Sequence, residues 1–197
     1  MRGLLGFAFL AISFQAVAGN QIYEPLAASV RQRLSYMVAD RAPASLSFRS
    51  AQDAQRWLEE MDKRLTRRMP DRQQRLELLR AVHYEAVRAR LDPQLVLGLI
   101  EVESGFRKYA VSRAGARGYM QVMPFWVKLI GQPAHNLFHL RTNLAYGCAI
   151  LRHYLDMEKG DYFRALGRYN GSLGKPEYPQ LVLAAWKGRW KYDGPTA

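Results

Sequence analysis

The sequence predicts an all-α fold, and two observations lead there. From Asp53 to Trp190 the apolar residues recur at spacings of three and four, the period of a helix with one buried face. Evidence for strands is thin: Tyr109 to Gly118 holds Ser112, Gly115 and Gly118 with no apolar period and reads as a loop or short irregular hairpin. The 197 residues suffice for one domain of ordinary size plus a processing segment or short extension. With 49% apolar, 12% aromatic and 23% charged residues, the chain can bury a core and is not of the disordered class.

The first eighteen residues read as an export signal. Arg2 supplies the positive start, Leu4 to Phe14 is an apolar run, and Ala16-Val17-Ala18 has the small-x-small form cut by signal peptidase. The run is shorter than the roughly 20 residues that span a bilayer, so cleavage after Ala18 is expected. No cysteine follows, which excludes a lipoprotein signal.

Residues 19–70 form an arginine-rich extension of helical pieces interrupted at Pro25, Pro43 and Pro70. Between Asp53 and Met69, the residues Ala54, Trp57, Leu58, Met61 and Leu65 make an amphipathic stripe. Its charged side is read as a solvated face or a contact for an anionic partner. The main domain, 71–197, opens with a helix whose face is Leu76, Leu79, Val82, Ala86 and Ala89, closed at Arg90-Leu91. Asp92-Pro93 then supplies an N-cap and a first-turn proline for the next helix. Leu144 to Met157, Tyr162 to Tyr169 and Tyr178 to Trp190 read as three more helices.

The charge balance is 29 Lys plus Arg against 17 Asp plus Glu, a formal +12. Signal removal takes one arginine and no acid, leaving 28 against 17, or +11. Such a protein suits anionic polymers, and export argues against nucleic acid as the partner. No later segment is apolar enough to span a membrane. The single Cys148 excludes internal disulfides and cysteine-based metal clusters; among Ala149, Ile150 and Leu151 it reads as a buried thiol. His135 and His139 are four apart but follow Pro133 without a third ligand, so no metal site is expected. Trp186 and Trp190 read as core residues in preference to sugar-stacking ones.

The sharpest chemical signal lies on the helix from Pro93. At about 100° per residue, Glu103 falls within the arc of Leu95, Val96, Leu99, Ile100 and Val102, while Glu101 falls opposite and reads as a surface acid. A carboxyl in apolar surroundings keeps its proton near neutral pH, as a general acid requires; a glutamate pointing to solvent past the core is the other reading of the same periodicity.

The residues that follow are Glu103-Ser104-Gly105-Phe106, then Ala110-Val111-Ser112, then Gly115 to Pro124 with Met120-Gln121 at their centre. Later come Asn136-Leu137, Asn143-Leu144 with Gly147, Tyr154-Leu155, Ala165-Leu166 and Tyr169-Asn170. In this order and spacing the chain resembles the soluble lytic transglycosylase family of the lysozyme-like superfamily, over about residues 73–190. The resemblance implies a lysozyme-like domain and does not reach the N-terminal helical extension of residues 19–70. It implies Glu103 as catalytic acid and base, Ser104 as its supporting hydroxyl, and Met120, Gln121, Tyr169, Asn170 and Tyr178 as residues lining a glycan cleft. Tyr119 stands where the family has leucine, and Gly167-Arg168 and Gly171-Ser172 replace its usual small residues beside tyrosine-asparagine.

A count of acids agrees with a mechanism using one carboxylate. From Ser104 through Leu155 there is no Asp or Glu; Asp156, Glu158, Asp161 and Glu177 come next. A glycosidase of the ordinary kind uses two carboxyls about 5–9.5 Å apart. The first three read as solvated turn acids, and Glu177, after Pro176, as a first-turn acid at a helix N-terminus. The resemblance implies peptidoglycan as partner, no cofactor, and formation of a 1,6-anhydro sugar without water. The alternatives are a hydrolytic muramidase and a non-catalytic peptidoglycan-binding or scaffold protein.

Overall fold

The computed structural model describes residues 21–40, 42 and 44–195; the expected signal, 1–18, lies outside them. Eight helices follow in order among the described residues: α1 Ala28–Ala39, α2 Ala51–Leu65, α3 Arg72–Arg88, α4 Pro93–Ser104, α5 Phe125–Ile130, α6 Leu140–Met157, α7 Tyr162–Asn170 and α8 Glu177–Lys187. The all-α expectation holds. The stretch 109–122 adds only isolated bridges, Val111 to Arg117 and Arg117 to Val122, an irregular hairpin. None of the helices is long and apolar enough to cross a membrane.

The helix starts follow local chemistry. Asp71, Asp92 and Asp161 each accept a backbone N–H of the first turn they precede, satisfying donors that have no partner inside the helix. Ser50 does the same for α2, accepting from the Asp53 amide at 3.0 Å. That helix spans Ala51–Leu65 instead of running on to Met69, yet Trp57, Leu58, Met61 and Leu65 are all buried, as their spacing predicts. Ala54 is only half-buried. Beyond it, buried Arg75 donates to Asp62 at 2.6 Å and to the carbonyls of Met69 and Pro70 at 2.7 Å each, holding the turn into α3.

At the centre lies α4. Leu95, Val96, Leu97, Leu99 and Ile100 are wholly buried, so this helix is enclosed on nearly every side. Its closest partner is α8. A β-carbon on Gly98 would lie 3.0 Å from the Trp186 backbone nitrogen, and the missing side chain is what lets the two helices approach. Both ends are tied: Trp186 Nε1 donates to Asp92 Oδ2 at 2.8 Å, and Trp190 Nε1 to Glu101 Oε2 at 2.7 Å. Both tryptophans thus serve the core. Helix α6 packs on α7, α1 and α3, and α2 on α3.

Glu101 corrects the sequence reading. It does lie opposite Glu103, but its side chain is only 14% exposed, because that side of α4 is covered. Arg68, after α2, donates to it at 2.7 Å, and Arg189 and Trp190, after α8, donate as well. An acid read as a surface residue therefore joins the extension, α4 and the tail.

Two polar residues of α3 are buried beside its apolar face. Glu85, 1% exposed, is held between Arg88 at 2.6 Å and Arg141 at 2.9 Å, with Asp40 and Tyr84 alongside; this network joins the end of α1 to α3 and α6. His83 is buried, stacked on Phe48 with ring centroids 4.5 Å apart and edge-on to Trp57. Burial lowers its pKa from 6.5 to about 4.

A chain starting at Asp71 uncovers the surface that Trp57, Leu58, Met61 and Leu65 occupy, each worth about 1.5–3 kcal/mol. Its melting temperature should fall by many degrees; an unchanged melting curve would show the extension to be independent. Because His83 folds neutral, its contribution is complete above pH 6.5 and is lost as pH falls toward 4. In thermal melts across that window, His83→Leu should remove part of the acid destabilisation of the wild type.

Candidate functional site

Glu103 sits on the last turn of α4, where Gly105 ends the helix in the left-handed conformation with φ 59°. Its side chain is 4% exposed. One oxygen, Oε1, accepts a hydrogen bond of 2.5 Å from the hydroxyl of Tyr178, in the first turn of α8. The other, Oε2, is buried without a hydrogen-bond partner. Burial raises the Glu103 pKa from 4.5 to about 8, opposed by the Tyr178 bond, which favours the charged form. The group is therefore a protonated acid at neutral pH. Tyr178 in turn is pushed well above its ordinary value by burial and by Glu103.

The other expected residues make their contacts in different directions. Tyr169, on α7, is wholly buried and donates to the Met120 carbonyl at 2.8 Å; the nearby Glu103 charge adds to the burial that raises its pKa. Met120 is wholly buried against α6, where a β-carbon on Gly147 would meet its sulfur at 2.3 Å. Gln121 adopts φ 47° and spends its amide nitrogen on the carbonyls of Ala110, at 3.1 Å, and Gly118, at 2.9 Å, bracing the loop. Ser104 donates back to Ile100 in its own helix at 3.2 Å. Asn170 ends α7 and is 5% exposed.

Asn143 of α6 holds this loop in place. Its Oδ1 accepts the Met120 N–H at 2.8 Å, and its Nδ2 donates to the carbonyls of Arg117 and Leu137 at 2.8 and 2.9 Å. Its signal in the sequence was the motif Asn143-Leu144 with Gly147; the hold on the loop was not part of that reading. For Glu85 the signal was a charge at three- and four-residue spacings from Val82, Ala81 and Ala89 on an apolar face. Gln21, which accepts the Met123 N–H at 3.2 Å, had no signal.

The four acids that next follow Ser104 lie in other settings. Asp156 pairs with Arg33 and Arg152, and Glu158 with Arg164 and Arg168. Asp161 caps α7, and Glu177 is exposed in the first turn of α8. Cys148 is buried in α6, and the His135 ring bonds the Tyr146 hydroxyl at 2.7 Å. Among the described residues no three His, Cys, Asp or Glu side chains gather as metal ligands.

A stability test follows from the raised pKa. Since the fold favours neutral Glu103, its contribution is complete below pH 4.5 and is lost as pH rises through about 8. Glu103→Gln should melt progressively higher than the wild type between those pH values, the gap levelling off above them. A pH-independent gap would show the carboxyl to be hydrated.

Residues 80–178, about half of the chain, match the family described as "Transglycosylase SLT domain". The chain is 36% identical over 88 residues to a transglycosylase of Enterobacteria phage PRD1, covering 45% of this chain and 32% of that protein. It is 36% identical over 105 residues to membrane-bound lytic murein transglycosylase C of Histophilus somni strain 2336, covering 45% and 29%. To the protein of that name from Actinobacillus pleuropneumoniae serotype 5b it is 50% identical over 48 residues, covering 24% and 13%. The chain spans less than a third of the length of these relatives. The matched half holds Glu103, Tyr178 and the braced loop between them in one lysozyme-like helical unit, and the chain belongs to the SLT transglycosylase domain family.

Proposed function

We propose that the protein is an exported lytic transglycosylase that cleaves the β-1,4 bond between N-acetylmuramic acid and N-acetylglucosamine in peptidoglycan. The observation that carries this reading is the Glu103 carboxyl, dry, protonated at neutral pH and with one oxygen unpartnered. The names of the relatives, which act on murein or are transglycosylases, support the substrate class. Residues 1–18 are read as the signal, 19–70 as the extension and 71–197 as the catalytic domain.

In the proposed reaction Glu103 donates its proton to the linking oxygen, the C1–O bond breaks, and the N-acetylglucosamine side leaves with its hydroxyl restored. The positive charge at C1 is stabilised by the N-acetyl carbonyl of the muramic acid. The Glu103 carboxylate then takes the proton of the same sugar's C6 hydroxyl while that oxygen closes on C1. A 1,6-anhydro ring results, the acid is regenerated and no water is consumed. One carboxyl suffices because it serves in turn as acid and base. Met120, Gln121, Tyr169 and Asn170 belong to the wall of the cleft in this reading, with Tyr178 holding the acid and Ser104 stiffening the helix end beneath it.

Glu103→Gln can neither give nor take the proton, so release of soluble muropeptides from purified sacculi should fall by at least about 10²-fold. In water labelled with heavy oxygen the wild-type products should carry no label and should be lighter by one water than hydrolytic products; label at the muramic acid C1 would mean a muramidase. The alkaline limb of activity should fall near pH 8, where the acid loses its proton. Tyr178→Phe removes a bond that favours the charged form and should move that limb to higher pH.

A further inference from the structure

The segment before α1 is arranged against the usual pattern of burial. Ile22 and Tyr23 are 59% and 58% exposed, whereas Gln21 is 5% exposed. A strap held for packing would bury the isoleucine and leave the glutamine in water. Here the amide goes inside, and it goes to the site. Its Oε1 accepts the N–H of Met123, two residues beyond Gln121, at 3.2 Å, and its carboxamide lies against the Tyr169 hydroxyl and lowers that group's pKa. Tyr169 is itself coupled electrostatically to Glu103 and to Tyr178.

The hold on this strap is weak. Gln21 Nε2 is buried without a well-formed hydrogen bond, a defect that costs stability. Tyr23 meets Phe125 edge-on at 5.8 Å while remaining exposed, and exposed Glu24 lies 3.6 Å from half-buried Arg168, a long ion pair of the kind that contributes little. Leu26 is only partly buried where the strap meets α1. Chemically, the end of a glutamine side chain is an acetamide. It presents the same carbonyl acceptor and N–H donor as the 2-acetamido group of the sugars in the proposed substrate.

From this arrangement we propose that Gln21 is an intramolecular occupant of the glycan cleft, seating its carboxamide on the Met123 amide and the Tyr169 hydroxyl where an acetamido sugar binds. The glycan must lift residues 21–26 to enter, so Gln21 sets apparent affinity without taking part in the chemistry. The inference rests on the transglycosylase reading. A competing occupant lowers apparent affinity by the fraction of molecules that are open, so a site open about one-fifth to one-tenth of the time binds about 5–10-fold more weakly than a free one.

Gln21→Ala and the volume-conserving Gln21→Met are compared with the wild type, with thermal melts confirming that at least one is folded. On soluble peptidoglycan glycan chains each folded variant should show KM lower by about 5–10-fold with kcat within about 2-fold of wild type. Tri-N-acetylchitotriose, used as the binding probe, should bind the variants more tightly by the same factor, and in the wild type it should speed hydrogen exchange in residues 22–26. A KM that is unchanged or raised in the variants, equal or undetectable affinities for the trisaccharide, or exchange unchanged or slowed in residues 22–26 overturns the proposal. Failure of the underlying reading looks different: the wild type would then release no muropeptides from sacculi.

Discussion

The contact between α4 and α8 is the constraint on which the site depends. At Gly98 the missing side chain lets the helices approach closely, and the tryptophans of α8 and its tail bond Asp92 and Glu101 at the two ends of α4. With that spacing set, Tyr178 reaches Glu103 and the carboxyl is closed off from water. Desolvation then outweighs the favourable Tyr178 bond, and the carboxyl keeps its proton. Tight packing of apolar surfaces is thus what converts an ordinary glutamate into an acid usable at neutral pH.

Much of the polar chemistry nearby is spent on backbone. Gln121 braces two carbonyls, Asn143 three backbone groups, Tyr169 one more and Ser104 its own helix. The loop from Tyr109 to Met123 has almost no regular secondary structure to pair its amides and carbonyls, and buried groups of that kind need partners. Side chains supply them, and the loop is thereby fixed beside the acid. A residue can therefore shape the cleft wall without pointing into it. The strap at Gln21 runs the other way, an extended segment bringing a side-chain amide to a backbone N–H of that loop.

The extension is joined to the rest by two means that differ in sequence visibility. The stripe on α2 is periodic and legible, and its burial against α3 follows. The ionic ties of Arg68 to Glu101 and of Asp40 to Arg141 are not, because charge pairing across tens of residues leaves no periodic trace. The carboxylates are the more enclosed partners, Glu101 14% and Asp40 23% exposed, so removing a basic partner leaves a half-compensated charge away from water.

By itself the sequence determined the helical class, the start of α4 at Asp92-Pro93 and the buried face of α2, and its ordered motifs from Glu103-Ser104 to Tyr169-Asn170 pointed to the family; its periodicity left two readings for Glu103, core or solvent. The class, the cap and the buried face are local: they depend on spacing, caps and residue type within a turn or two. The short α5 went unread because six residues after Pro124 carry too little period to stand out. Tertiary structure alone decided that Glu101 is a junction and not a surface acid, that Tyr178 is the partner of Glu103, and that Gln21 reaches the Met123 amide. Each of these is a meeting of residues far apart in the chain, and a side chain's solvent is set by whichever distant segment packs over it.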